Sequence, residues 1–463
     1  MAPTSKITLL KQATNLREVG QTLDSAPLLS QEEMTAFYRR EVQQVRGEDR
    51  ISLLSLGLQD AIRTNSVFKG FLLGHPGVGK TTELMRVVNS PSSNLEPLRI
   101  SVLSELNPGA LRYYDILLLI LIRLVKETSS PAISGFAGNN LETLLTRVRA
   151  HLSTKWTKHL QTSQDDWGAG LDIPFLKLFG NLRQGRSREV GEQEYEVSFV
   201  SELTELINDV LESCNEILHR HTGKRWIVLV EDFDKLNLPT QILLDVFQGL
   251  RPSLQSFRAN LIITIPLWLY YSDQFQGIQP YDFKSCVVPD ISVYTSSHAV
   301  DHAAVDALTT VVEARMSLGL LAKGVLQRCI LASGGFLRDL FSLLVNATMF
   351  ARIRNSDQIE MIDADKAILE MKNNYKQRLG STLPNPNEPS LDEKLKLLVA
   401  IYERNNATAD IANATLYNLL RQRFVLQCNG VSWMGVHPLA VDLLMDFGRL
   451  PQGSPGGSNL NAN

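Results

Sequence analysis

The eight residues Gly74-His75-Pro76-Gly77-Val78-Gly79-Lys80-Thr81 constrain the fold more than any other feature of the chain, because they match G-x-x-x-x-G-K-[ST] in full. Such a loop works only between a buried strand and a helix. The apolar run Val67 to Leu73 precedes it, and a helical pattern from Lys80 to about Val88 follows. Glycines at positions 74, 77 and 79 let successive backbone N–H groups turn toward one anion. The helix adds its positive dipole end at the same place. Lys80 is then placed to reach the β- and γ-phosphates of a nucleotide, and the Thr81 hydroxyl to ligate Mg²⁺. His75 is expected to be a tolerated loop residue. A chance match in a turn is the competing explanation, and the flanking strand and helix count against it.

A second motif has the complementary chemistry. Trp226 to Val230 is five apolar residues in a row, as in a strand covered on both faces, and it runs directly into Glu231-Asp232-Phe233-Asp234. One carboxylate at such a strand end can hold the metal while another orients or deprotonates the attacking water. Successive strand residues face opposite ways, so only one of the pair points straight at the phosphate loop. Position assigns Glu231 to the metal and Asp232 to the water, the reverse of the usual acid order. Asp234 is read as a cap for the next helix.

The rest of the pattern is α/β: a parallel-sheet core, a helical lid and a C-terminal winged helix. A capping box at Ser30-Gln-Glu-Glu33 opens a helix to about Val45, within an N-terminal segment of residues 1–50. The core spans 51–295, with strands expected at Leu98–Leu103, Ala259–Ile265 and Cys286–Val293, and an insertion at about 130–195. A long helix from about Glu194 to His221 carries Val200, Leu203, Ile207, Val210, Cys214 and Ile217 on one face. Residues 296–379 read as the lid and 380–390, with three prolines, as a linker. Residues 391–450 read as helix, helix and hairpin, with Asn429-Gly430 at the turn. The Gly/Ser/Asn-rich tail 451–463 is expected to be disordered.

Composition excludes some classes. A net charge of −3 leaves no global basic excess for nucleic acid. The four cysteines are far apart and form no CxxC pair, which argues against zinc and suits a reducing cytoplasm. The most apolar run, Ile116 to Ile122, is too short to span a bilayer and reads as a core helix.

Taken together, Gly74–Leu84, Val230–Leu236, Ile262–Pro266 and Ser333–Leu340 resemble the AAA+ and STAND branch of P-loop ATPases, nearest to origin-recognition-like and archaeal-type ATPases and to bacterial ATP-binding proteins linked to phage defence. The resemblance implies ATP and Mg²⁺ as ligands. It places Thr82 with the phosphate loop and makes Thr264 a polar sensor of the γ-phosphate, or else a core threonine. Arg338, after Gly334-Gly335, would be a second sensor reaching from the lid, or else a surface arginine. Arg46 would line the adenine pocket. His437 would contact the ADP β-phosphate, although Pro438 departs from the usual pattern and a structural histidine is the alternative. Arg251 is either an arginine finger for a neighbouring subunit or a solvated side chain.

Three functions follow. The first is a nucleotide-controlled switch that changes shape or forms a homo-oligomer and acts on a separate effector protein, in bacterial defence or signalling. The second is a DNA-binding ATPase or loader that uses the winged helix, for which only Arg421 and Arg423 supply charge on the candidate helix. The third is a nucleotide-binding scaffold with little turnover.

Overall fold

A computed structural model describes residues 10–47, 50–90, 93–128, 193–236, 238–380, 388–404, 413–428 and 433–458. Most of the expected insertion, most of the linker and the Asn429-Gly430 turn lie outside the described residues. At the centre is a five-stranded parallel sheet of β1 (Lys69–Leu73), β2 (Leu95–Ser101), β3 (Arg225–Glu231), β4 (Asn260–Ile265) and β5 (Lys284–Val287), in the order β2-β3-β4-β1-β5. Its residues alternate between two hydrophobic clusters, as a period of two requires. Phe71, Leu73, Val228, Val230, Leu261 and Ile263 face the larger cluster, with helices Tyr113–Thr128, Gln193–Thr222 and Thr240–Ser256. Leu72, Ile227, Leu229 and Ile262 face the smaller one, with helices Arg50–Arg63 and Lys80–Val88. Both faces of the sheet are therefore covered, which is why the strands read as unbroken apolar runs. Ile116 to Ile122 is buried inside its helix, as expected, and among the described residues no helix is long and apolar enough to cross a membrane.

Three expectations about elements need correcting. Strand β2 begins at Leu95 and passes through Pro97, which is tolerated because β2 is an edge strand. The strand expected over Cys286–Val293 stops early. Val288 N–H still bonds Leu73 O at 2.8 Å, but Pro289 has no N–H, and Asp290 then bonds Gln427 O at 2.7 Å in the C-terminal hairpin. The helix opened by the Ser30 capping box ends at Phe37, and a short second helix follows at Glu41–Gln44. The break at Tyr38 turns its hydroxyl onto Glu83 of the helix Lys80–Val88.

Beyond the sheet, helices His302–Glu313, Val325–Ser333, Leu337–Ile353 and Met361–Gly380 form the expected helical region. Helices Leu391–Arg404 and Ala414–Arg421, an antiparallel hairpin of β6 (Val425–Cys428) and β7 (Trp433–Val436), and helix Pro438–Asp446 complete a winged-helix unit. The tail does not match its expected disorder over residues 451–458. Tyr294 donates to Gly457 O, Arg328 to Ser458 O, and Ser458 N–H to Asp442, so that segment is pinned between lid and winged helix.

Candidate functional site

The parallel sheet brings the ends of β1, β3 and β4 side by side. Leu73 is paired with Ile265 and Val230 with Ile263. The phosphate loop follows β1, the acids follow β3, and Thr264 lies next to the end of β4. Gly79 caps the helix Lys80–Val88 at φ 100°, and Gly77 has φ 95°, a region that side-chain-bearing residues rarely occupy. A Cβ on Gly77 would also lie 3.1 Å from the Arg338 guanidinium.

Alternation explains which acid faces the loop. Leu229 points to the face that carries the helix Lys80–Val88, so Glu231, two residues on, points there as well. Thr81 Oγ1 donates to Glu231 Oε1 at 2.6 Å, and Arg99 holds the other carboxylate oxygen at 2.7 Å. Asp232 takes the left-handed conformation (φ 75°), with its N–H bonded to Thr264 Oγ1 at 3.0 Å. Its carboxylate meets Ser101 Oγ and Lys235 Nζ. Burial alone would raise its pKa, but the charge of Lys235, hydrogen bonds from Lys235 and Ser101, and Arg99 together hold it below the ordinary value. Asp232 is therefore a weak base.

Lys80 Nζ donates to Gly74 O, His75 O and Asp234 Oδ2, at 2.8, 2.9 and 2.8 Å. Asp234 is thus not a helix cap. It sits in the turn Phe233–Lys235 as the buried partner of Lys80, and Pro239 precedes the next helix. The sequence offered no spacing signal for this pairing, which joins residues 154 apart.

Arg338 reaches the same cleft from the helical region. It lines it with Gly77, Gly79, Lys80, Thr81, Thr82, Asp232, Asp234 and Thr264. Burial lowers its pKa first and Arg423 lowers it further, while Asp339, Asp234 and Asp232 oppose the shift. Arg46 is buried between the Val78 carbonyl at 2.5 Å and Glu83 at 3.3 Å, and it lines the cleft too. The N-terminal segment supplies the rest of this wall: Pro27, Leu28, Phe37 and Val42 face Val311, Leu337 and Phe341 across it. Arg315, stacked over Phe37 and Phe341 and pushed down to about 10 by burial, closes that end. One end is apolar and the other rich in N–H donors, which suits a base and its phosphates. Sequence spacing does not show this wall, because residues 25–46 reach the loop only through the fold. The Thr82 hydroxyl joins it by accepting from Leu28 N–H at 3.2 Å.

Two histidines lie elsewhere than expected. His75 is buried and turned away from the cleft. Its Nδ1 is 2.6 Å from Asp290 Oδ2, and its Nε2 is 3.0 Å from Leu420 O in the winged helix. It is a tie between domains, not a tolerated loop residue. His437 is not among the cleft residues. It is fully buried, accepting from Leu439 N–H at Nδ1, donating from Nε2 to Ser333 O and stacking on Tyr375 at 4.6 Å. Burial pushes its pKa down to about 4. It therefore caps the helix Pro438–Asp446 as a neutral ring, the structural alternative to a phosphate contact. Arg251 donates to Gly277 O within the chain.

Among the described residues, no three His, Cys, Asp or Glu side chains are grouped to hold a metal ion by themselves. Mg²⁺ takes one or two carboxylates and completes its shell with water and substrate phosphates. Thr81, Glu231 and Asp232 supply oxygens of the right kind beside the loop.

No protein-family model and no curated protein matches the chain. Solved structures do. They include the Cdc6 protein of Pyrobaculum aerophilum (15% identity, 88% of this chain and 97% of that one, TM-score 0.35). A Walker-type ATPase of Pyrococcus abyssi matches at 14% identity over 92% and 99%, with a TM-score of 0.45. The ORC2 protein of Aeropyrum pernix matches at 13% over 89% and 96%, with a TM-score of 0.44.

Proposed function

We propose that the cleft binds Mg·ATP and that the chain is a slow, nucleotide-controlled ATPase switch. The observation that carries this reading is the meeting of Lys80, the Thr81–Glu231 pair and Arg338 at one end of the sheet. In this reading the loop amides and Lys80 hold the phosphates, exchanging the Asp234 contact for phosphate oxygens. Thr81 and Glu231 hold the metal, which neutralises phosphate charge. Asp232 orients water, and its lowered pKa makes it a poor proton acceptor, so turnover is slow. Thr264 holds Asp232 in place. Arg338 answers the terminal phosphate from the lid and so links nucleotide state to lid position.

The winged helix serves protein contact better than DNA in this account. Arg421, at the end of the candidate DNA helix, donates to Leu238 O, and Arg423, just beyond it, to Asp339, so both arginines are engaged inward. Contact with an effector protein, formation of a homo-oligomer and a place in defence or signalling belong to the same proposal.

Hydrolysis assays test it. Wild type should turn over ATP slowly with Mg²⁺, Lys80→Ala should lose activity, and Asp232→Ala should lose about a hundredfold or more. Equal rates in wild type and Lys80→Ala would refute the catalytic reading and leave the scaffold alternative.

A further inference from the structure

We infer that the chain has a second ligand site, for a small molecule carrying two or more phosphate charges, on the far side of the phosphate loop. A cavity of about 300 Å³ lies there, where core, helical region and winged helix meet. Its polar lining is mostly cationic: Lys235 from the core, Arg338 and Arg378 from the helical region, and Arg421 and Arg423 from the winged helix. Asp234 is the one carboxylate among the described lining residues, and Lys80 already holds it at 2.8 Å.

Nearby acids offset this charge only in part. Asp232 holds Lys235 at 2.5 Å and Asp339 holds Arg423 at 3.2 Å, while Glu388 attracts Arg421. The Arg378 guanidinium carbon sits over the Tyr375 ring at 4.0 Å, and Arg378 donates to the Gln422 carbonyl. Arg338 has no hydrogen-bonding partner among the described residues. Like charges collected in a partly enclosed space repel one another and focus a positive potential. An anion in the cavity would remove that cost.

The shape of the donors narrows the ligand. Guanidinium forks match phosphate oxygens in a plane and hold them by paired bonds. The apolar part of the lining, Pro266, Leu267, Trp268 and Leu420, would take the uncharged part of such a molecule. A DNA backbone fits less well, because the Arg421 and Arg423 heads are drawn into the fold.

The test uses the full chain with Lys80→Ala, to weaken the nucleotide cleft, and inorganic pyrophosphate as probe, followed by calorimetry and thermal shift. Pyrophosphate should bind saturably and raise the melting temperature. Arg378→Gln and Arg421→Gln should each weaken pyrophosphate binding about tenfold. Arg378→Lys, which keeps the charge and disturbs packing less, should retain part of the affinity. No pyrophosphate binding, or binding indifferent to Arg378 and Arg421, would overturn the inference. So would binding of a short DNA duplex with the same arginine dependence and none of pyrophosphate. ATP binding to wild type is read separately, so its failure would count against the nucleotide cleft alone.

Discussion

Replacing His75 by alanine tests whether the phosphate loop is tied to the winged helix. The imidazole is 1% exposed and bridges Asp290 Oδ2 at 2.6 Å to Leu420 O at 3.0 Å. Removing it deletes one hydrogen bond to a carboxylate, roughly 1.5–3 kcal/mol, and one to a carbonyl, about 1 kcal/mol. Asp290 keeps Gln427 N–H at 2.8 Å, so it is not left bare, but the buried Leu420 carbonyl loses its side-chain partner. The expected loss is therefore about 3 kcal/mol. With an unfolding entropy of roughly 2.1 cal/mol/K per residue, a chain of this length has an unfolding entropy of about 1 kcal/mol/K. Its melting temperature should fall by about 3 °C if it unfolds as one unit. Differential scanning calorimetry reads this directly. Should the winged helix come loose first, a separate early transition would appear in the variant. An unchanged melting profile in His75→Ala would refute the tie.

Other outcomes follow from the same geometry. His437 has a folded pKa near 4 against 6.5, so the unfolded chain binds more protons between those values. Its contribution, about 3 kcal/mol, is present above pH 6.5 and is lost as pH falls to 4, and His437→Gln should flatten the pH dependence of the melting temperature in that window. Truncation before Pro451 removes the bonds of Gly457 and Ser458 to Tyr294, Arg328 and Asp442 and should lower the melting temperature by several degrees, whereas a disordered tail could be cut without effect. Asp234→Asn leaves Lys80 its two carbonyls but removes its buried counter-charge, so it should destabilise the nucleotide-free chain more than the ATP-bound one in a thermal-shift comparison.

The features legible in the sequence are those that repeat at short range. The phosphate loop has fixed spacing, and strands β3 and β4 show as unbroken apolar runs. Parity in the sequence says only that one of Glu231 and Asp232 faces the loop; the cluster that Leu229 joins shows that it is Glu231. What the sequence concealed depends on contacts between distant residues. Asp234 lies in an irregular turn, where no period says which way it points. His75 has the composition of a loop residue, and only the arrival of Asp290 and Leu420, 215 and 345 residues on, makes it a buried tie. The tail is polar by composition, yet Tyr294, Arg328 and Asp442 supply the partners that keep residues 457 and 458 in place. His437 follows the hairpin at the helix start, where an imidazole can serve as a cap, and burial then removes its charge.

Every proposed role in the cleft depends on a triphosphate held by the amides that open the helix at Lys80. Isothermal titration of the full chain with ATP and Mg²⁺, in wild type and Lys80→Ala, measures that most directly. A Lys80-dependent site with a sub-millimolar dissociation constant is expected in wild type, and binding at that site should be at least tenfold weaker in the variant. Absence of binding at millimolar ATP, or equal affinity in the two proteins, would contradict it.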